Sequence, residues 1–532
     1  MNPCGKVLLD DNSGGRAEEL HAPDCGSADA GSRQSAPGAS RRKTRLTIPV
    51  VAAGFLVLLF AFLAAELTPG MRADGTDWAM YLMHARNIVK GLPYAHTGYV
   101  FQPESTTEVG AGSYPSGYPL LVAPFFAVFG LNIKVFKLLN VAFLVLSLGP
   151  VYWYARRTVP VLASLLLIVA LGFSTLFLVN ADVIGSDAPY LLASSLVLLL
   201  LLSIYEQHLD ETKPWKWGLI AGLGIAAAYL IRPVGLAFLL AAAGVELLRK
   251  RRITRFLIAI AITFVPLMLL NNLLLHRDSS YDYQFTLSMP SVASHALEYA
   301  GLFSYVFANP LSHYFRYVLW ALTLGLALVA IAKRVRAGVG ITELYVLAIL
   351  AIYSVYWVTS PRYLLCAVPI YMVYMFEGFH AFVDAMPRRF ARPLQAAAAL
   401  LLLFAPAANA VLVHPNRNDT LVSLPQYEAL CSVVRSQTAP GALAIFWNPR
   451  VLVLSTARHA SGWPAEGPPE RLIRYLRRVR PDYIVADRSR SDDRQFLIPV
   501  IAHGPLRLAT VYENDRFVLL RMFDGHDGQH PE

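Results

Sequence analysis

The chain has 532 residues, 55% of them hydrophobic and only 15% charged, with a mean hydropathy of +0.45. A soluble globular chain carries about 25% charged residues, so most of this chain is not an ordinary soluble domain. The net charge of +10 does not point to nucleic acid, because Lys and Arg cluster in short loops between apolar runs, where they act as orientation signals.

Residues 1–44 are rich in Gly, Ser, Ala, Asp and Arg, and predict a disordered cytoplasmic tail. The basic segment Arg41-Arg42-Lys43-Thr44-Arg45 precedes an apolar run, Leu46–Ala65, that reads as an uncleaved signal anchor. Residues 66–116 then form an external loop with one amphipathic stretch, Trp78–Val89. The run Leu120–Phe129, between Pro119 and Gly130, is too short to cross a hydrocarbon core and predicts a re-entrant or interfacial helix.

Spans follow at Ile133–Tyr154, Val159–Val179, Ala188–Tyr205, Trp217–Ile231, Val234–Leu248 and Phe256–Leu275. After a second external loop at 276–312 come Tyr317–Ala332, Ile341–Val358, Leu364–Phe382 and Leu394–Val413. That makes about eleven spans, each long enough for a bilayer core of about 30 Å. With this count the basic clusters at 156–157, 249–255, 333–336 and 388–392 all fall on the cytoplasmic side. The expectation is an α-helical polytopic protein of the inner membrane, with residues 45–413 as its transmembrane domain.

Beyond residue 414 the composition becomes that of a soluble chain. Leu443–Trp447, Val451–Leu454, Tyr483–Ala486 and Arg516–Leu520 read as strands, and Glu470–Arg478 reads as an amphipathic helix. Residues 414–532 thus predict a small extracytoplasmic α/β domain, suited to support or acceptor docking rather than chemistry. The cysteines Cys4, Cys25, Cys366 and Cys431 have no repeated spacing and make neither a metal quartet nor a disulfide framework.

Charges at a membrane surface are costly and need a reason. Asp74 and Asp77 follow the first span, and Asp182 and Asp187 lie between the third and fourth, so two distant loops present carboxylates at one depth. Paired carboxylates suit a general base or a clamp for sugar hydroxyls. They also suit a divalent cation, although nothing in the spacing requires one. Asp77 and Asp187 equally fit helix N-caps. Arg232 and Arg362 stand on the same face against the positive-inside rule, where a guanidinium fork would meet a lipid phosphate or pair with one of the aspartates. Tyr114-Pro115-Ser116-Gly117-Tyr118-Pro119 is a rigid aromatic turn into the short apolar helix.

In order and spacing these motifs resemble the GT-C membrane glycosyltransferases, on the branch with protein O-mannosyltransferases and lipid A aminoarabinose transferases (the family 39 type). The resemblance rests on Asp74 with Asp77-Trp78, on Ala85-Arg86-Asn87-Ile88, and on Gly91-Leu92-Pro93-Tyr94. It also rests on Tyr114 to Pro124, Ser186-Asp187-Ala188-Pro189-Tyr190, Arg232-Pro233 and Arg362-Tyr363. It covers roughly residues 46–412. Gly75 follows Asp74 where the family often has Glu, which leaves Asp74 and Asp77 both open as the principal carboxylate.

The resemblance implies an inverting transferase that takes a sugar from a polyprenyl-phosphate carrier to a protein, lipid or glycan acceptor. It places Asp74, Asp77 and Asp187 in the catalytic role. Arg362 takes a position near the lipid phosphate, with Arg232, Tyr114, Tyr118, Tyr363 and Asp182 at the substrate. A glycan polymerase, ligase or flippase is the alternative, or a transporter, although no inverted repeat is evident and the mid-span positions read as apolar.

Overall fold

The computed structural model describes residues 38–71, 77–105, 109–275, 285, 288–308, 313–356, 358–413 and 421–523. The chain forms two compact units, Met1–Val51 and Ala52–Glu532, and every contact below lies within the second. Asp74 lies outside the described residues.

Helix α1 (Gly38–Ala65) is followed by α2 (Asp77–Lys90), α3 (Gly117–Phe129), α4 (Ile133–Ala155), α5 (Val161–Gly172), α6 (Thr175–Ala181) and α7 (Asp187–Glu206). Next come the short α8 (Leu209–Thr212), α9 (Pro214–Ile231), α10 (Leu236–Lys250), α11 (Arg255–Leu275), α12 (Met289–Leu302) and α13 (His313–Ala337). The apolar series closes with α14 (Ile341–Ser354), α15 (Val368–Asp384) and α16 (Arg388–Leu412).

A helix coincides with each predicted span, because each run is apolar over most of its length. By length and composition, six helices among the described residues can cross a membrane, or seven if the bent pair α5 and α6, 51° apart, counts as one span. The expected eleven are not reached by that count, since α10, α14 and α15 have only 15, 14 and 17 residues and α1 enters it only as Val50–Ala65. The short helix α3, at 13 residues, matches the predicted re-entrant segment. Large apolar side chains such as Trp153, Leu162, Leu223, Leu273 and Leu400 remain exposed on these helices. Surface of that kind is stable against lipid, and the chain is a polytopic α-helical membrane protein.

The C-terminal region begins with α17 (Pro425–Gln437) and β1 (Leu443–Ile445), then α18 (Pro449–Thr456), β2 (His459–Ser461), α19 (Pro469–Val479) and β3 (Tyr483–Asp487). It ends with α20 (Ile498–His503), β4 (Leu508–Glu513) and β5 (Phe517–Met522). The five strands are ordered β2-β1-β3-β5-β4, with β1 parallel to β2 and β3, and β5 antiparallel to β3 and β4.

The predicted strand Val451–Leu454 is instead helical. Asn448 accepts a hydrogen bond from the Val451 N–H and Pro449 occupies the first turn, a helix start that outweighs the β-branched residues after it. Strands β2 and β4 were not anticipated; β2 has only three residues and little pattern to read.

The sheet does not end at β2. The Val100 N–H donates to the Ala460 carbonyl at 2.9 Å, and the Ala460 N–H donates to the Gly98 carbonyl at 3.2 Å. The loop after α2 thereby extends the edge of the C-terminal sheet. One hydrophobic cluster also joins Trp78, Met80, Leu82 and Met83 of α2 to Val451, Leu452 and Val453 of α18. The loop and the C-terminal region share one core.

Candidate functional site

Helix α2, read from sequence as amphipathic, is buried on every side from Trp78 to Ala85, because the C-terminal region covers it, and it sits in the shared core with Asp77 in its first turn. The loop behind it is held by its own side chains. Asn87 donates to the carbonyls of Pro93 and His96, both at 3.1 Å, and His84 stacks on Tyr94 at 4.0 Å between ring centroids. The Tyr94 hydroxyl donates to the carbonyls of Tyr114 and Pro115 at 3.2 and 3.1 Å. The sequence motifs around Asn87, Tyr94 and Tyr114 therefore fold the loop onto itself.

Gly117 then brings the aromatic turn against α9. A Cβ there would lie 2.6 Å from the Leu230 carbonyl carbon and 2.7 Å from the Ile231 nitrogen, so only glycine permits this approach. The residue that follows Ile231 is Arg232.

Three ion pairs form here, around two carboxylates. Asp77 accepts a hydrogen bond from the Tyr114 hydroxyl at 2.5 Å and pairs with Arg362 at 3.3 Å and Arg450 at 3.4 Å. Asp187, at the start of α7, pairs with Arg232. The ring of Tyr363 faces both cations, with the Arg232 and Arg362 guanidinium carbons 5.1 and 5.2 Å from its centroid. Tyr81, on α2, links the Asp77 and Asp187 pairs from the other side. Its ring lies edge-on to Tyr114 and to Tyr118 at 5.4 and 4.9 Å, and its hydroxyl is 3.0 Å from the Ser186 hydroxyl.

Each arginine makes the ion pair with an aspartate that the sequence allowed, Arg232 with Asp187 and Arg362 with Asp77. Asp187 spends its carboxylate on Arg232 rather than on an N-cap, and Ser186, the capping position, makes no side-chain cap bond. Burial by itself would raise the Asp77 carboxyl. The charges of Arg362 and Arg450, with the Tyr114 hydrogen bond, outweigh that and hold it below the ordinary aspartate value. Asp77 and Arg362 are 35% and 37% exposed and remain open to a ligand.

Asp182 lies apart from this cluster. Its Oδ1 accepts from the fully buried Lys137 ammonium at 2.7 Å and from the Thr68 N–H at 2.9 Å, and its Oδ2 accepts from the Thr68 hydroxyl at 2.6 Å. Lys137 also donates to the Thr68 carbonyl at 3.0 Å and to the Gly70 carbonyl. This closed network ties the start of the first loop to the α6–α7 connection. Tyr118 is fully buried against Tyr81, whereas Tyr114 and Tyr363 touch the charged groups directly.

Sequence reasoning passed over Arg450 and Lys137. Lys137 had a signal, as one of two lysines, with Lys134, inside an apolar span. Arg450 had little, being one arginine among many in the C-terminal region. Among the described residues, no three His, Cys, Asp or Glu side chains gather as a metal site.

With its bundle of apolar helices, a loop helix that starts at Asp77 and a C-terminal sheet region packed on that loop, the chain has the GT-C fold. Among solved structures it is similar to ArnT from Cupriavidus metallidurans bound to undecaprenyl phosphate, with 13% identity, 88% of this chain and 97% of that chain covered, and a TM-score of 0.57. It is also similar to the oligosaccharyltransferase of Archaeoglobus fulgidus in its apo form, with 12% identity, 83% and 69% covered, and a TM-score of 0.54. The oligosaccharyltransferase AglB of the same organism, in complex with an inhibitory peptide and a dolichol-phosphate, follows with 12% identity, 85% and 70% covered, and a TM-score of 0.50. No protein-family model matches the chain, and no curated protein does.

Proposed function

We propose that this protein is an inverting glycosyltransferase that moves a sugar from a polyprenyl-phosphate carrier to a hydroxyl or amine acceptor at the outer face of the inner membrane. The observation that carries the reading is the pair of guanidinium groups, Arg232 and Arg362, on one tyrosine ring, each paired with a carboxylate from a different segment. The bound undecaprenyl phosphate of the ArnT structure and the dolichol-phosphate of the AglB complex support it, because both are the lipid phosphates such a site would hold.

Arg362 is the group placed to meet the phosphate. It is 37% exposed and reaches Asp77 by one long contact of 3.3 Å, so it can turn to an oxygen of a monoanionic or dianionic phosphate without losing a buried partner. Asp77 acts as the base and removes the acceptor proton. The freed electron pair attacks the anomeric carbon, and the bond from that carbon to the phosphate oxygen breaks. Its electron pair leaves on the polyprenyl phosphate, where arginine offsets the charge. Asp187 and Arg232 hold each other and the Tyr363 ring as one wall of the site. The N-terminal tail is cytoplasmic on this reading, and residues 414–532 form an extracytoplasmic domain. The acceptor is a protein, lipid or glycan of the envelope.

The test is direct. Purified protein given a polyprenyl-phosphate sugar should release polyprenyl phosphate, and Asp77→Asn should lower that rate by about 10²–10⁴, the usual contribution of a general base. A folded Asp77→Asn variant with full activity would remove Asp77 from the reaction. No release by wild-type protein from any polyprenyl-phosphate sugar would favour a flippase or transporter.

A further inference from the structure

We propose that Arg450, from the C-terminal region, is a positioning residue for Asp77, fixing one carboxylate oxygen and leaving the other for the exchangeable Arg362. The inference rests on Asp77 being the base. Arg450 is fully buried, so no phosphate or sugar can reach it, and it acts only through what it touches.

Its contacts make a fork. Nη1 donates to the Tyr114 hydroxyl at 2.7 Å and to Asp77 Oδ1 at 3.4 Å, and Nη2 donates to the Val109 carbonyl at 2.6 Å. The Tyr114 hydroxyl donates its own hydrogen bond to the same Oδ1 at 2.5 Å. The guanidinium also lies 4.9 and 5.3 Å from the ring centroids of Tyr99 and Tyr114, which set its plane. Asp77 Oδ1 is thus held by two groups that cannot leave, and Oδ2 faces Arg362, which can.

The groups facing Asp77 among the described residues are Tyr114 from the turn before α3, Arg362 from the segment before α15, and Arg450 from α18. When a lipid phosphate draws Arg362 away, Arg450 is the cation that remains and, with the Tyr114 hydroxyl, keeps the half-buried carboxylate ionised and aimed. This gives the C-terminal region a part in the chemistry, carried through the edge pairing at Ala460 and the core shared by α2 and α18.

The test uses the full-length protein in detergent with a polyprenyl-phosphate sugar as donor. The pH profile of polyprenyl-phosphate release is measured for wild type, Arg450→Met and Arg450→Lys. Arg450→Met should move the acid limb upward by about one pH unit, the smaller end of what an adjacent cation does to a carboxylate. Below that limb kcat should fall about tenfold, with the donor KM changed by no more than about twofold. Arg450→Lys, which keeps the charge, should return the limb to its wild-type position.

A limb that stays in place in Arg450→Met, or a donor KM raised about tenfold with kcat unchanged, overturns the proposal. If Arg450→Met does not fold, the exposed Arg362→Gln replaces it. The Asp77 carboxylate is then titrated by infrared difference against Arg362→Gln with Asp77→Asn. A midpoint within about one unit of the ordinary aspartate value supports Arg450 as the remaining partner. A midpoint pushed further up, as for a carboxyl left without a cation, overturns it. The infrared measurement needs no turnover, so its failure is distinct from a failure to release polyprenyl phosphate.

Discussion

Two carboxylates of this chain look alike in sequence and behave differently in the structure. Asp182 and Asp187 are five positions apart, yet Asp182 closes a network with Lys137 and Thr68, while Asp187 faces Arg232 beside Tyr363. Removing one partner of a buried pair leaves an uncompensated charge and costs about 3–5 kcal/mol. Lys137→Met should therefore unfold or strongly destabilise the protein in a thermal melt, and Lys137→Met with Asp182→Asn should recover much of the loss. Asp187→Asn breaks a pair almost as deeply buried, so it should lower the melting temperature as well as the activity.

Asp493 makes a different prediction. Burial pushes its carboxyl up to about 7, against the hydrogen bond it accepts from the Asp487 N–H. From about pH 4 to about pH 7 the folded state therefore holds a proton that the unfolded chain has already released. Stability falls as pH rises through this window and is level above it. Asp493→Asn should flatten that dependence, raising the melting temperature at pH 8 relative to wild type and narrowing the difference at pH 5.

At the scale of elements, the Tyr114–Pro119 turn shows how a short motif places distant residues. Gly117 lets the turn press on the end of α9, so that Arg232 arrives beside Tyr363 and opposite Asp187. Gly117→Ala puts a methyl group inside the backbone of Leu230, and neither side is a flexible side chain. Overpacking of this kind costs about 1–3 kcal/mol, so Gly117→Ala should lower the melting temperature and weaken donor binding together. Unchanged donor KM in a destabilised Gly117→Ala would separate the turn from the site. Helix α18 carries the opposite lesson. Its Val451-Leu452-Val453-Leu454 run favours a strand, and a two-residue start signal, Asn448-Pro449, turns it into the helix that presents Arg450.

At the scale of the molecule, the first loop and the C-terminal sheet share hydrogen bonds and a core, so they must lie on one side of the membrane. In a background without the native cysteines, Glu104→Cys and Arg474→Cys should both react with an impermeant thiol reagent added outside intact cells, and Arg251→Cys should not. Labelling that separates residue 104 from residue 474 would contradict the fold, and labelling of both only after lysis would invert the proposed orientation.

The sequence by itself determined that this is a polytopic membrane chain with an acidic first loop, a second acidic segment and two arginines at matching depth. Hydropathy and charge register the cost of putting each residue in lipid, and that cost is local. Through the resemblance that their order carries, it also marked Asp74, Asp77, Asp182, Asp187, Arg232, Arg362, Tyr114, Tyr118 and Tyr363 as one set. Only the tertiary structure decided which of these meet and which do not. It closed Asp182 onto Lys137, buried Tyr118 behind Tyr81, and brought Arg450 to a carboxylate 373 positions earlier in the chain. Contacts of that separation depend on how helices pack and where a sheet edge lands, and no periodicity or spacing within one segment carries that information.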